Sequence, residues 1–127
     1  CIELFVTKDQ HVLVNELAPR PHNSGHYTIE GCVTSQYENH IRAILGLPLG
    51  STELIRPTVM KNIIGNVNKK AEVHGLEEAY KYPEVKIHIY GKEECRVGRK
   101  MGHITVTDKT IEDALFKARY AHSKIKF

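Results

Sequence analysis

A chain of 127 residues, 41% hydrophobic and 26% charged, has the size and make-up of one ordinary globular domain that can bury a core without staples. These values exclude disorder, collagen and a coiled coil, and no window nears the ~18 consecutive apolar residues of a membrane-spanning helix. Lys and Arg outnumber Asp and Glu by 18 to 15, and this net +3 is too mild and too dispersed for a nucleic-acid footprint but suits small anions.

The first element is a β-hairpin over residues 1–18. Two arms rich in β-branched and apolar residues, 1–7 and 11–17, flank a polar Lys8-Asp9-Gln10 break. With Asp9-Gln10 as the turn, paired positions sum to nineteen, so Glu3 faces Glu16 and Leu4 faces Asn15. Opposed carboxylates about 5 Å apart repel. With no cross-strand Lys or Arg they call for a bound cation or a shared proton. Oxygen donors of this kind, Asn15 among them, suit Mg²⁺ or Mn²⁺; a one-residue slip would instead place the acids on opposite faces.

Residues 18–26, Ala-Pro-Arg-Pro-His-Asn-Ser-Gly-His, are too broken by Pro and Gly for regular structure and form a loop stiffened by Pro19 and Pro21. Arg20 suits a planar oxyanion such as bicarbonate. His22, Asn23, Ser24 and His26 add hydrogen-bonding groups beside it. The His22-x-x-x-His26 spacing belongs to a helix, which Pro21 and Gly25 oppose, so zinc is not expected on that pair. A helix follows from the Ser35-Gln36-Tyr37-Glu38 capping box to Gly46, with an apolar face of Tyr37, Ile41 and Leu45.

Beyond a turn-rich 47–51 segment we expect a strand over 53–64, demoted in part by Pro57, a polar loop at 66–70, and a short helix over 76–82. Strands follow at 85–90 and 103–107, separated by a polar 91–102 segment. A helix capped at Thr110 closes the chain, with Ile111, Ala114, Leu115 and Ala118 on one face. The class is α+β, divided into 1–50 and 51–127. Within 91–102, Lys92, Arg96, Arg99 and Lys100 crowd a Gly-bearing turn that can grip a phosphate. Stacking aromatics are not interleaved with these charges, which disfavours nucleic acid.

Cys1, Cys32 and Cys95 have no C-x-x-C spacing and are expected to be reduced structural thiols. The start carries no signal-peptide pattern, so the expected compartment is cytoplasmic. Because the chain opens in mid-strand without Met, it reads as a C-terminal piece of a longer protein.

Several runs together resemble one family. Glu3-Leu4-Phe5, the stretch from Val14-Asn15-Glu16 through Pro19-Arg20-Pro21-His22-Asn23-Ser24-Gly25-His26-Tyr27-Thr28, Cys32-Val33-Thr34-Ser35-Gln36-Tyr37-Glu38, Leu45-Gly46-Leu47-Pro48-Leu49-Gly50 and Gly98-Arg99-Lys100-Met101-Gly102-His103 are similar to the ATP-grasp 5-(carboxyamino)imidazole ribonucleotide synthases. The likeness is weakest over 66–84. It implies the end of an ATP-grasp domain followed by a small β-rich domain. It also implies a ligase of purine biosynthesis that joins bicarbonate to 5-aminoimidazole ribonucleotide with ATP, through carboxyphosphate. By motif, Glu3 and Glu16 would hold Mg²⁺ with Asn15 beside them, and Arg20 would fix bicarbonate or carboxyphosphate. His22, Asn23 and Ser24 would orient the imidazole, and Lys92, Arg99 and Lys100 would grip the ribonucleotide phosphate; Arg96 receives no role. The missing N-terminal part of the enzyme and a second copy, as a homodimer, would be partners. A formate-dependent glycinamide ribonucleotide transformylase shares part of the pattern, and a non-catalytic interaction module would show the Tyr37–Ile41–Leu45 face uncovered.

Overall fold

A computed structural model describes every residue, Cys1–Phe127, as two compact units, Cys1–Glu53 and Leu54–Phe127. No helix is long and apolar enough to cross a membrane.

The first unit opens with antiparallel β1 (Ile2–Val6) and β2 (Val12–Leu17). The turn differs from the two-residue expectation. Thr7 N donates to His11 O (2.9 Å) and Gln10 N to Thr7 O (3.0 Å), closing a three-residue loop in which Gln10 takes φ 65°. A turn ended by a left-handed residue is the usual solution for that loop length. Pairs near the tip therefore sum to eighteen: Val6 with Val12, Phe5 with Leu13, and Leu4 with Val14 rather than Asn15. A bulge then shifts the register, so that Glu3 pairs with Glu16 and Ile2 with Leu17. The expected acid pair is present, but a bulge at Asn15 creates it, not the turn.

Residues 18–26 are more ordered than their Pro and Gly content predicts, with a 3-10 turn at Asn23–Gly25 and, after it, a short helix α1 (Thr28–Gly31). Helix α2 (Gln36–Ile44) starts where expected: Ser35 Oγ accepts from Glu38 N at 3.1 Å. The reciprocal half of the capping box is replaced, because the Glu38 carboxylate turns to Arg42 Nε at 3.0 Å, one turn on. The Asn39 side chain ties the following segment back by accepting from Gly50 N (2.8 Å) and donating to Gly50 O (3.3 Å). Apolar side chains cover little of this unit. Phe5, Leu13 and Val14 of the hairpin and Tyr37, Ile41 and Leu45 of α2 are all exposed.

The second unit is a three-stranded antiparallel sheet in the order β3 (Thr58–Ile64), β7 (Lys100–Thr107), β5 (Val85–Ile89). β3 begins after Pro57, not at 53, because Pro has no amide hydrogen for the ladder. β7 begins at Lys100, three residues before the expected start, and is buried from Met101 to Val106. A two-residue ladder of β4 (Lys69–Lys70) with β6 (Glu94–Cys95) crosses two stretches predicted to be loops; such short strands carry no periodicity to read. α3 (Leu76–Ala79) is shorter than predicted. α4 (Ile111–Lys124) is capped by Thr110 Oγ1, which accepts from Asp113 N at 3.1 Å. Its buried stripe is Ala114, Ala118 and Ala121; Ile111 and Leu115 are exposed, contrary to expectation. Small side chains let the helix lie close to the sheet, and bulkier neighbours are left at the margins. Ile63, Ala79, Val85, Cys95, Met101, Ile104, Val106, Ile125 and Phe127 complete this core.

Lys117 of α4 anchors that helix, with Nζ 2.7 Å from Asp108 and 2.9 Å from Glu84. Its hydrogen bonds pull both carboxyls below their ordinary range and raise the ammonium, as each partner favours the charged form of the other. Lowered carboxyl values mean stabilisation present above the ordinary carboxylate range and lost as pH falls through the folded values, below about pH 4. The raised ammonium contributes below its unfolded value and is lost only in strong alkali. Urea midpoints measured from neutral pH down to about pH 3 will fall for the parent and flatten in Lys117→Met.

Candidate functional site

Main-chain pairing forces two anions together on the hairpin. A regular ladder alternates sides, so without its bulge Glu3 would stand opposite Asn15 and Glu16 opposite Ile2. The extra residue breaks that alternation and aims Glu16 at Glu3. Asn15 stays with them, its Nδ2 donating to Glu3 Oε2 at 3.1 Å. Neither acid meets Lys or Arg. Instead the imidazole of His22 lies against both, Nδ1 3.3 Å from Glu3 Oε1 and Nε2 3.6 Å from Glu16 Oε1.

The loop is held as the sequence alone does not reveal. Gln36, the first residue of α2, grips the His22 backbone at both ends: Oε1 accepts from His22 N (2.9 Å) and Nε2 donates to His22 O (2.8 Å). Nε2 also reaches His26 Nδ1 at 2.9 Å, and Tyr37 OH reaches the same nitrogen at 3.0 Å. His26 is therefore a strut of the loop and forms no ligand pair with His22. Thr28 Oγ1 accepts from Gln36 N (2.9 Å) and donates to Gly25 O (2.6 Å). Any Cβ on Gly25 would collide with Gln36 Oε1, so glycine is required for this close approach. Ser24 Oγ lies 2.8 Å from His22 Nδ1. Arg20 NH1 donates to Pro21 O at 3.1 Å, and the side chain lines a cavity of about 500 Å³ together with Cys1, Tyr27 and Gln36.

In the second unit the four cations are not equivalent. Arg96 is neutralised by Glu94, Nε 3.0 Å and NH2 2.6 Å from one carboxylate oxygen, and this pulls the Glu94 carboxyl down. Lys100 lies outside the lining of the cavity next to this turn and contributes its carbonyl, which accepts from Lys92 Nζ at 2.6 Å. Lys92 and Arg99 both line that cavity, of about 420 Å³. Arg99 NH1 donates only to Glu94 O, at 3.1 Å. Partial burial, and then the charge of Arg99, push the Lys92 ammonium below its ordinary value. Two cations in mutual repulsion are poised for an anion. Gly65 lets their loop close, since a Cβ there would strike the Arg96 carbonyl, and the strand passes its hydrogen bonds to this loop: Gly65 N to Arg99 O (2.8 Å) and Gly98 N to Gly65 O (2.9 Å).

Residues 58–117 match the family described as phosphoribosylaminoimidazole carboxylase C-terminal domain, and residues 1–37 match the ATP-grasp domain. The chain is 56% identical over 104 residues to N5-carboxyaminoimidazole ribonucleotide synthase of Bacillus subtilis, covering 82% of this chain and 26% of that protein. It superimposes with a TM-score of 0.88 on the crystal structure of N5-carboxyaminoimidazole ribonucleotide synthetase from Thermotoga maritima, at 57% identity, covering 98% of this chain and 35% of the other. The Aspergillus clavatus synthase, solved with ADP and 5-aminoimidazole ribonucleotide, gives 0.80 at 41% identity, over 96% of this chain and 33% of that one. The chain thus spans about a quarter of the length of the curated relatives it matches.

The Gln36 clamp predicts its own signature. Gln36→Leu leaves the His22 amide and carbonyl unpartnered, each worth roughly 1–3 kcal/mol. Hydrogen exchange at the His22 amide will accelerate at least about tenfold, while amides of β7 keep their protection.

Proposed function

Since this chain belongs to the N5-carboxyaminoimidazole ribonucleotide synthase family of ATP-grasp enzymes, we propose that it contributes the metal-holding and phosphate-gripping residues of an ATP-dependent carboxylating ligase of purine biosynthesis. The observation that carries this reading is the bulge-driven meeting of Glu3 and Glu16, with Asn15 at 3.1 Å and without a neutralising Lys or Arg. The donor set fits a hard divalent ion: the carboxylate oxygens of Glu3 and Glu16, with the Asn15 amide hydrogen-bonded to Glu3 beside them. Glu3 and Glu16 hold Mg²⁺ or Mn²⁺, which when bound supplies charge neutralisation at the ATP phosphates.

The reaction proceeds in two transfers. A bicarbonate oxygen attacks the γ-phosphorus of ATP and ADP leaves, giving carboxyphosphate. The exocyclic amine of 5-aminoimidazole ribonucleotide then attacks the carboxyl carbon; phosphate departs and the amine loses one proton. Arg20 holds bicarbonate and offsets the charge that builds on its oxygens during both transfers. His22, Asn23 and Ser24 orient the imidazole, their loop fixed by Gln36 so that little order has to be gained on binding. Lys92 and Arg99 take the ribonucleotide phosphate as paired cations, with Lys92 steadied by the Lys100 carbonyl. The partners of the chain in this reading are the remainder of the ATP-grasp nucleotide site and a second copy in a cytoplasmic homodimer.

A direct test is phosphate release by the full-length protein with ATP, bicarbonate and 5-aminoimidazole ribonucleotide. Turnover that requires all three supports the reading, and turnover with formate and glycinamide ribonucleotide instead refutes it. The 127 residues by themselves will show no ATPase activity. In the full-length enzyme Glu16→Gln will abolish Mg²⁺-dependent turnover with an unchanged circular dichroism spectrum. Arg99→Ala removes one charge-assisted contact, worth roughly 1.5–3 kcal/mol, so the KM for the ribonucleotide will rise about ten- to a hundredfold while that for ATP holds. An Arg99→Ala effect confined to ATP would reassign the pair.

A further inference from the structure

We propose that Cys1, Glu3 and His22 form a binding site for a soft transition-metal ion of the Zn²⁺ class, overlapping the hard-ion pair through Glu3. One donor atom from each residue, a thiol sulfur, a carboxylate oxygen and an imidazole nitrogen, lies within 4.8 Å of the other two. A tetrahedral ion at roughly 2.0–2.3 Å from each ligand draws such donors to about 3.3–3.8 Å of one another, a closure that small side-chain rotations supply.

The contacts around His22 point the same way. Ser24 N donates to His22 Nδ1 at 3.3 Å, which fixes the ring at this point. The same nitrogen lies 3.3 Å from Glu3 Oε1, so an imidazole nitrogen and a carboxylate oxygen converge on one point. A cation at that point would be shared by both donors. The cysteine side chain is on hand: its Sγ is 3.6 Å from Ser24 Oγ, which in turn is 2.8 Å from His22 Nδ1. Sulfur, nitrogen and one carboxylate oxygen favour Zn²⁺ or Co²⁺, whereas Mg²⁺ selects oxygen alone. The ring is also braced at its other edge by Glu16, 3.6 Å from Nε2, the kind of carboxylate contact that orients a metal-bound imidazole. Three protein ligands leave a fourth position open to water or to an anionic ligand.

The site stands on these three residues and not on the ligase reading, so its test needs no turnover. Co²⁺ titrated into the full-length protein will produce a thiolate-to-cobalt charge-transfer band that saturates at a stoichiometric amount, is erased by Zn²⁺, and survives millimolar Mg²⁺. Cys1→Ser will abolish the band and weaken Zn²⁺ binding at least about tenfold, with an unchanged circular dichroism spectrum. Cys32→Ser and Cys95→Ser, at buried free thiols, will retain it. Absence of the band from the parent, or its persistence in Cys1→Ser, overturns the site. Loss of turnover with the band intact would sink only the ligase reading.

Discussion

Two carboxylates held opposite one another by main-chain hydrogen bonds set the terms for everything around them in the first unit. The ladder keeps the backbone of Glu3 opposite that of Glu16, and two like charges so placed make a demand for positive charge. The chain answers only in part, with the Asn15 amide and the His22 ring. The order of the neighbouring loop follows from this demand. His22 is useful only if its ring stays at the acids, and Gln36, Thr28 and Gly25 are arranged to keep its backbone there. Satisfying buried backbone groups and positioning a ring are here one act.

The second unit poses the opposite problem. It crowds cations on a turn and removes one of them, since Glu94 neutralises Arg96 and leaves Lys92 beside Arg99. The fold supplies the platform cheaply: β7 is buried along most of its length beneath an alanine-striped helix, and the cation-bearing loop emerges just before it. A rigid strand next to a charged loop is a common way to combine precision with access.

Much of this was legible beforehand, for uneven reasons. Strand alternation around 85–89, the Ser35 and Thr110 caps and the facing acids are carried by local patterns that a single sequence displays. The acid pair was reached through a turn that does not exist: Gln10 at positive φ leaves no mark, because residues other than Gly rarely adopt it, and nothing distinguishes Asn15 as a bulge residue. In the sequence Gln36 is only the interior of a capping box, while its work is done on a backbone fourteen residues away. The unequal value of four neighbouring cations depends on where β6 sends Glu94, and a two-residue strand gives no periodic signal. The α4 face is legible in part: Ala114 and Ala118 are buried as the spacing indicates, while Ile111 and Leu115 are exposed and Ala121 joins the stripe, because small side chains let the helix lie close.

Loop and bulge have different tolerances to length change. The tip between Thr7 and His11 can gain or lose residues while Val6 still pairs with Val12, and the acids never sense it. A single insertion or deletion inside either arm exchanges the partner of Glu3, unless a bulge arises or disappears in compensation. The number of residues separating the two acids is therefore a poor ruler for finding this arrangement in a divergent chain. What keeps the acids paired is an equal count of residues from each acid to the tip once the bulge residue is left out, three on either side here.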